Sequence, residues 1–176
     1  LTARLDGSNL LQRTATLQCS PPFFDVTPDE HLVLLLERHF VPGQGNNADV
    51  YEITLAGDTV GRLTNTTTYE GWPAVSPDGS QIAYMRGEEV WLMNRDGSGT
   101  RPLLPPPSSS RGQAPAWTRD GKYVVLQLGG DIYIDQNSNG EDYYYNASQI
   151  YAVRVADGLA IRLTHSSTGE VQPDIR

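Results

Sequence analysis

The sequence predicts an all-β protein with the architecture of a β-propeller made of four-stranded antiparallel blades. Short runs of β-favouring residues alternate with turn signals along the chain, and no segment has the period of a helix. One turn sequence recurs at spacings of 49 and 42 residues, and two further markers recur in the same order between its copies. Repeats of about 40 to 50 residues with four strands each are typical of propeller blades.

The clearest repeat covers residues 72–104. Three apolar runs at 72–76, 81–86 and 89–94 are separated by Pro77-Asp78-Gly79 and by Gly87-Glu88, and a fourth run follows a glycine turn at 95–99. Proline presets φ for the second position of a turn, aspartate bonds the backbone ahead of it, and glycine tolerates positive φ. This segment is therefore predicted to be a four-stranded meander.

Each marker of the meander has copies elsewhere. The Pro77-Asp78-Gly79 turn recurs as Pro28-Asp29-Glu30 and as Arg119-Asp120-Gly121. The glycine turn before the last strand recurs at 6–8, 56–58 and 157–158. The last strand carries Arg62-Leu63-Thr64, Arg101-Pro102-Leu103 and Arg162-Leu163-Thr164, with Gln12-Arg13-Thr14 as a weaker copy. Three markers in a constant order indicate a true repeat.

The markers divide a single propeller domain, residues 1–176, into blades. Residues 1–16 are predicted to end one blade, residues 17–64, 65–104 and 105–164 to form one blade each, and residues 165–176 to begin the next. The blade at 17–64 has predicted strands at 23–27, 32–37, 49–54 and 60–64, with a long loop at 39–47. The Pro/Ser segment 105–110 is predicted to be an extended connection, because proline cannot donate to a ladder.

The last full blade contains a long insertion. Its predicted strands are 114–118, 122–128, 149–155 and 159–164, and an alternative places the third strand at 131–134. We favour 149–155 because its pattern matches 49–53 and 89–93 and because the two later markers follow it in place.

Three full blades are fewer than a closed ring requires, because propellers commonly have four to eight. We therefore expect either a processed or partial chain from a six- to eight-bladed ring, or terminal strands that another copy or fragment completes.

Four sequence elements resemble those of a known family: Ser-Pro-Asp-Gly at 76–79, Ile-Ala-Tyr-Met at 82–85, Val-Trp-Leu-Met-Asn-Arg-Asp-Gly at 90–97, and the Arg-Leu-Thr strand. They are similar to the WD-like repeats of TolB-type β-propellers, which also occur in the propellers of prolyl-oligopeptidase-type peptidases. The resemblance extends over nearly the whole chain. It implies the fold and leaves the function open, because one scaffold hosts unrelated activities.

The insertion carries the sharpest chemical signal. Oxygen-bearing side chains at alternate positions before a glycine suit Ca²⁺ and resemble the start of a calcium loop. The candidate ligands are Asp135, Asn137, Asn139 and Asp142, with Glu141 through its backbone carbonyl. The twelfth position is Asn146 where a bidentate glutamate is expected, so the alternative is a hairpin turn that binds nothing.

Other candidate sites lie in predicted loops. Tyr143, Tyr144 and Tyr145 are a candidate contact surface for a protein or a sugar ring, the alternative being that they cover the blade edge. Asn65 and Asn146 begin N-x-[ST] sequons, which matter only in a glycosylating secretory pathway.

Composition and missing motifs exclude several classes of function. A net charge of −8 argues against nucleic acid as a partner, since phosphate binding requires clustered Lys and Arg. The single cysteine, Cys19, cannot form an intrachain disulfide, and no apolar run is long enough for a membrane span. There is no G-x-S-x-G, H-E-x-x-H, C-x-x-C or P-loop sequence, and no catalytic residue is predicted.

The leading hypothesis is a non-catalytic scaffold outside the cytoplasm, periplasmic, cell-surface or secreted, that binds a protein or another ligand through loops on a regular fold. The enzyme alternative is the gating or substrate-positioning propeller of a larger prolyl-oligopeptidase-type peptidase. The structural alternative is a subunit of an extracellular fibre or surface layer, assembled through open blade edges.

Overall fold

The protein was studied as a computed structural model, which describes residues 19–28, 32–41, 45–54, 59–104, 112–129, 132–136, 142–146 and 149–164. These residues form strands and turns, and no helix occurs among them. The predicted all-β fold is confirmed.

The described strands form three four-stranded antiparallel sheets, each a propeller blade. The first contains β1 (Cys19–Val26), β2 (Leu32–Val41), β3 (Gly45–Thr54) and β4 (Thr59–Arg62). The second contains β5 (Glu70–Val75), β6 (Gln81–Arg86), β7 (Glu89–Asn94) and β8 (Arg101–Pro102). The third contains β9 (Gly112–Trp117), β10 (Tyr123–Leu128), β13 (Gln149–Arg154) and β14 (Ala160–Arg162).

The insertion of the third blade forms a separate two-stranded hairpin of β11 (Ile132–Gln136) and β12 (Asp142–Asn146). The third strand of the blade is β13, which pairs with β10 from Tyr123 opposite Arg154 to Leu128 opposite Gln149. The favoured assignment of 149–155 is therefore confirmed, and the alternative at 131–134 is wrong.

The long loop predicted at 39–47 is also wrong. β2 and β3 remain paired through His39 with Asn47, Phe40 with Asn46 and Val41 with Gly45. The β-favouring Phe40 and Val41 continue the ladder, and residues 42–44 between the two strands lie outside the described residues.

The last strand of the second blade is shifted by one residue from its sequence alignment. Tyr51, Trp91 and Tyr151 lie opposite Arg62, Pro102 and Arg162, so Pro102 and not Arg101 occupies the arginine position. The match by residue type misplaced Arg101, because strand register is set by the backbone ladder and the buried pattern.

The core lies between blades and not within them. Along β6, Ile82 and Tyr84 pack toward the first blade, whereas Ala83 and Met85 pack toward the third. Successive side chains of a strand point to opposite faces of the sheet. Because this blade has a neighbour on both faces, the sequence of its inner strand is apolar at consecutive positions.

Polar contacts join the same blades. Asp25 accepts the Val75 N–H at 2.8 Å, and Glu52 pairs with Arg95 at 3.1 Å, both between the first and second blades. Gly97 extends this interface, because with φ of +83° it brings its backbone so near that an added Cβ would lie 2.7 Å from the Leu63 carbonyl oxygen.

Candidate binding site

The turns that follow β5 and β9 are closed by the same hydrogen bonds. The Ser76 hydroxyl donates to Asp78, and that hydroxyl oxygen accepts the Gln81 N–H. Thr118 bonds Asp120 and the Tyr123 N–H in the same way. In the second and third blades the repeated turn residues thus hold the first strand against the second at the same end of each blade.

These bonds also stabilise the charged form of Asp78. Its hydrogen bonds with the Ser76 hydroxyl, and with the backbone and hydroxyl of Ser80, lower the pKa of Asp78 to about 2. The turn therefore carries a carboxylate charge over the whole range in which proteins are usually stable.

The first strands contain a repeated distortion. Trp72 and Ala114 both have φ of +47°, each precedes a proline, and the pairing with the neighbouring strand shifts at both places. Positive φ is uncommon for residues other than glycine, and strain of this kind is concentrated at functional positions. This distortion was not predicted from the sequence, although the x-Pro-Ala pattern that recurs at 72–74 and 114–116 is a signal for it.

The distorted strands border a cleft of about 440 Å³ across the three blades. Its lining consists of Phe24, Asp25, Pro73, Ala74, Val75, Pro77, Pro115, Ala116, Trp117 and Arg119. A second depression of about 310 Å³ adjoins it along the two turns and shares Pro77, Trp117 and Arg119. Together they form a continuous groove, which we call the strand-end cleft.

The strand-end cleft combines an apolar wall with one cationic side chain. Phe24 is 58% exposed, and Trp117 is buried with its indole N–H donating to the Ala74 carbonyl at 2.9 Å. The two oxygens of the Asp25 carboxylate accept hydrogen bonds from the N–H groups of Val26 and Val75, each with an N to O distance of 2.8 Å. Arg119 is exposed at the junction of the two depressions, and the second depression also contains the Asp78 and Asp120 carboxylates. The cleft therefore favours a ligand whose apolar groups lie in the first depression and whose negative charge lies beside Arg119, away from the two turn carboxylates.

A second polar cluster lies between the first two blades. Glu70 is fully buried; Thr66 donates to its Oε1 at 2.9 Å, and Arg86 Nε lies 3.6 Å from the same oxygen. Within the described part of the chain, Glu70 Oε2 has no hydrogen-bond partner. Burial raises the pKa of Glu70, and hydrogen bonds with Thr64 and Thr66 only partly oppose it.

Two of the predicted calcium ligands, Asp135 and Asp142, lie on β11 and β12. Asp135 is opposite Tyr143 and Asp142 is opposite Gln136, whereas Asn137, Asn139 and Glu141 lie outside the described residues. Asn146 pairs with Ile132, three residues and so about 10 Å along the ladder from Asp135. A twelve-residue loop closed by Asn146 is therefore not formed.

The tyrosines predicted in a loop are on strand β12, so that placement is wrong. Tyr143, Tyr144 and Tyr145 pair with Asp135, Ile134 and Tyr133 of β11. Of the two sequon asparagines, Asn65 is exposed between β4 and β5 and Asn146 ends β12.

Two kinds of feature do not occur among the residues that the structure describes. Nowhere among them do three or more His, Cys, Asp or Glu side chains cluster as a metal site would require. None of their elements is a helix long and apolar enough to cross a membrane.

No family model and no curated protein matches the chain. Several solved structures do match the chain. TolB from Acinetobacter baumannii aligns with a TM-score of 0.67 at 20% identity, over 95% of this chain and 37% of that one. A protein assigned as TolB from Agrobacterium tumefaciens aligns with a TM-score of 0.65 at 21% identity, over 89% of this chain and 50% of that one. A puromycin hydrolase aligns with a TM-score of 0.57 at 20% identity, over 81% of this chain and 22% of that one.

These alignments show that the chain has the TolB-type propeller fold, which confirms the predicted resemblance at the level of fold. The chain spans half or less of the length of each of these three structures. Identities near 20% carry no activity from these proteins to this chain, because one scaffold hosts unrelated activities.

Proposed function

We propose that this chain is a non-catalytic binding module outside the cytoplasm that holds an extended segment of a protein partner in the strand-end cleft, with apolar side chains in the first depression and one acidic side chain beside Arg119. The observation that carries the proposal is the cleft lining, an exposed phenylalanine and three prolines beside one cation, Arg119. Prolines and buried tryptophan keep this wall rigid, which reduces the entropy that binding costs. The TolB-type fold is what supports a location in the periplasm, at the cell surface or in secreted form.

The role of Arg119 can be tested with peptides, because the partner is unidentified. Twelve-residue peptides selected from a phage-displayed library on the purified chain are expected to carry an acidic residue next to apolar ones. Arg119→Glu should weaken the selected peptides about tenfold, since a hydrogen bond to a charged group contributes about 1.5–3 kcal/mol. The measurement is the Kd of fluorescein-labelled peptide by anisotropy.

The matched control is Lys122→Glu. Lys122 is a nearby exposed cation in the same turn region, 3.5 Å from Asp120, and it is outside the cleft lining. Equal weakening by both substitutions would indicate general electrostatics and would contradict a site at Arg119. Failure to select any peptide would contradict the binding module itself.

A second candidate function is the propeller part of a larger serine peptidase. The likeness to a puromycin hydrolase supports it, because a propeller of this type occurs in that hydrolase. In this case the cleft would position a substrate for a catalytic domain elsewhere. A hydrolase domain encoded in the same gene would favour this role over the scaffold.

Calcium remains a proposal for the hairpin tip, with Asp135 and Asp142 at the base of the 137–141 connection. Extracellular modules hold calcium with Kd values of about 0.1–1 mM, so 10 mM CaCl₂ should raise Tm by about 3–8 °C. Asp142→Asn should abolish the rise, and Asp96→Asn, in the exposed turn before β8, should preserve it. An equal rise with MgCl₂, or none with CaCl₂, would exclude a calcium site.

The remaining sequence predictions stay open alongside this role. Tyr143, Tyr144 and Tyr145 are a proposed second contact surface for protein or carbohydrate, and mass spectrometry of the natural protein would decide whether Asn65 and Asn146 are glycosylated. The fibre or surface-layer role depends on the ends of the blade stack.

A further inference from the structure

The first and second blades are joined by a carboxylate that binds the open edge of a first strand. β5 pairs only with β6, so its other edge is open. Val75 lies opposite Ile82, next to the bond from the Ser76 N–H to the Gln81 carbonyl. Since hydrogen-bonded and non-hydrogen-bonded pairs alternate in an antiparallel ladder, the Val75 N–H points to the open edge. There it donates to Asp25 of the first blade at 2.8 Å.

The third blade repeats this backbone geometry. β9 pairs only with β10, and Trp117 lies opposite Val124. The neighbouring bond, from the Thr118 N–H to the Tyr123 carbonyl, corresponds to the one between Ser76 and Gln81. The same alternation therefore directs the backbone N–H of Trp117 to the open edge of β9.

The acceptor, however, has no counterpart between the second and third blades. Asp25 and Ala74 are equivalent, because their partners on the second strand, Leu34 and Ala83, occupy the same point of the ladder. Alanine offers no side-chain acceptor. Among the described residues the backbone N–H of Trp117 has no hydrogen-bond partner, and only the indole N–H of this residue donates.

Arg119 places a positive charge beside this donor. Trp117 and Arg119 both line the two depressions of the strand-end cleft. Two residues span at most about 7 Å, a distance that an arginine side chain covers. Arg119 is exposed and forms no ion pair within the described part of the chain. A backbone N–H and a guanidinium together can bind one carboxylate through charge-assisted hydrogen bonds.

The other groups near this pair of donors favour a carboxylate from outside the chain. Asp78 already accepts hydrogen bonds from Ser76 and Ser80, and Asp120 accepts bonds within its own turn in the same way. The open edge of β9 does not continue as a row of donors, because Pro115 has no N–H. The edge therefore suits a single carboxylate better than an added β-strand.

We propose that the acidic side chain of the bound segment bridges the Trp117 N–H and the Arg119 guanidinium, in the place between the second and third blades that the Asp25 carboxylate holds between the first and second. This inference rests on the proposed function, because it names the contacts by which the strand-end cleft holds the acidic side chain. Asp25 is then an internal copy of the carboxylate that the partner supplies.

The first test adds sodium acetate, the simplest carboxylate, to the unmodified isotope-labelled chain at constant ionic strength and follows the backbone amides by NMR. The Trp117 amide signal should move downfield and saturate, and Arg119→Gln should weaken this response. The Val75 amide should stay in place, since Asp25 already binds it. Asp25→Asn is the reference for direction, and it should move the Val75 amide upfield.

Acetamide is the matched control ligand, because it has the shape of acetate without the charge. It should leave the Trp117 amide unmoved. The absence of a saturable acetate response at Trp117, or an equal response to acetamide, would overturn the proposal.

The second test uses the selected peptides, made as C-terminal amides so that only side chains supply carboxylates. Replacing the acidic residue of a peptide by its amide should weaken binding at least about tenfold. Arg119→Gln should then cause little further loss with the neutral peptide, because the two groups act on each other. Lys122→Gln, at a cation outside the cleft lining, should leave the Kd of the acidic peptide unchanged.

The two tests separate this contact from the binding module itself. Peptides that bind equally well without their acidic residue would overturn the carboxylate site and leave the binding module supported. An acetate response at Trp117 without any selected peptide would support the carboxylate site and contradict the binding module.

Discussion

Replacing Trp117 with alanine is expected to lower the free energy of unfolding by about 3–5 kcal/mol, as large-to-small changes of buried aromatic residues do. Trp117 is 8% exposed and packs in the core between the second and third blades. Its indole also donates to the Ala74 carbonyl at 2.9 Å, so truncation opens a cavity and removes a bond between blades. The measurement is urea unfolding followed by far-ultraviolet circular dichroism.

Trp117→Phe separates the two contributions. It keeps most of the apolar volume and leaves the Ala74 carbonyl without its donor, so we expect a loss of about 1–3 kcal/mol. Trp91→Ala is a second control, because Trp91 is only partly buried and its indole bonds Glu89 near the surface. A loss below about 1 kcal/mol for Trp117→Ala would mean that the second and third blades do not share a cooperative core.

Glu70→Gln is expected to change how stability depends on pH. Burial raises the pKa of Glu70 above its ordinary value, 4.5. Its contribution to stability is fully present below the pKa of the unfolded chain and is lost as pH rises through the higher pKa of the folded state. Wild type should therefore lose stability relative to Glu70→Gln between pH 4 and 8, by about 1.4 kcal/mol for each unit that separates the two pKa values.

Asp78→Asn is the control with the opposite sign. Hydrogen bonds lower the pKa of Asp78 to about 2, so its contribution is present above the unfolded pKa of about 3.8 and is lost as pH falls toward 2. Wild type should lose stability relative to this variant only in acid. If urea unfolding shows Glu70→Gln and wild type running parallel from pH 4 to 8, the Glu70 carboxyl is solvated in the folded state.

The contacts of Arg86 bear on the interpretation of Glu70→Gln. The Arg86 guanidinium lies 4.5 Å from the centre of the Trp91 ring, so removing the Glu70 charge leaves the cation with an aromatic partner. For this reason the pH-independent offset of the variant should be small, and the pH-dependent difference carries the information.

The blade repeat could be predicted from sequence because its turns are built from local chemistry. The Ser76-Pro77-Asp78-Gly79 turn is held by hydrogen bonds between residues at most five positions apart. The same residue types therefore predict the same turn wherever they recur. The same reasoning failed at 39–47 and at Arg101. In both places the pairing with a neighbouring strand, and not the local sequence, determines where a residue lies.

The candidate site was not predictable in the same way. The strand-end cleft joins Phe24, Ala74 and Trp117, which lie in three blades and meet only when the blades stack. The calcium and tyrosine motifs could be recognised in the sequence because each consists of neighbouring residues. The same local pattern nevertheless predicted a loop for the tyrosines, where the structure has strand β12.

The sequence by itself determined that this is an all-β chain of four-stranded blades, because period, turn residues and alternation are local properties. Only the tertiary structure decided which surfaces remain for function. Leu103 and Leu163 occupy the same position of the same repeat, and one is 1% exposed while the other is 51% exposed. The difference arises because a neighbouring blade packs on Leu103, whereas no blade among the described residues packs on Leu163, and the residues of a single repeat do not encode their neighbour.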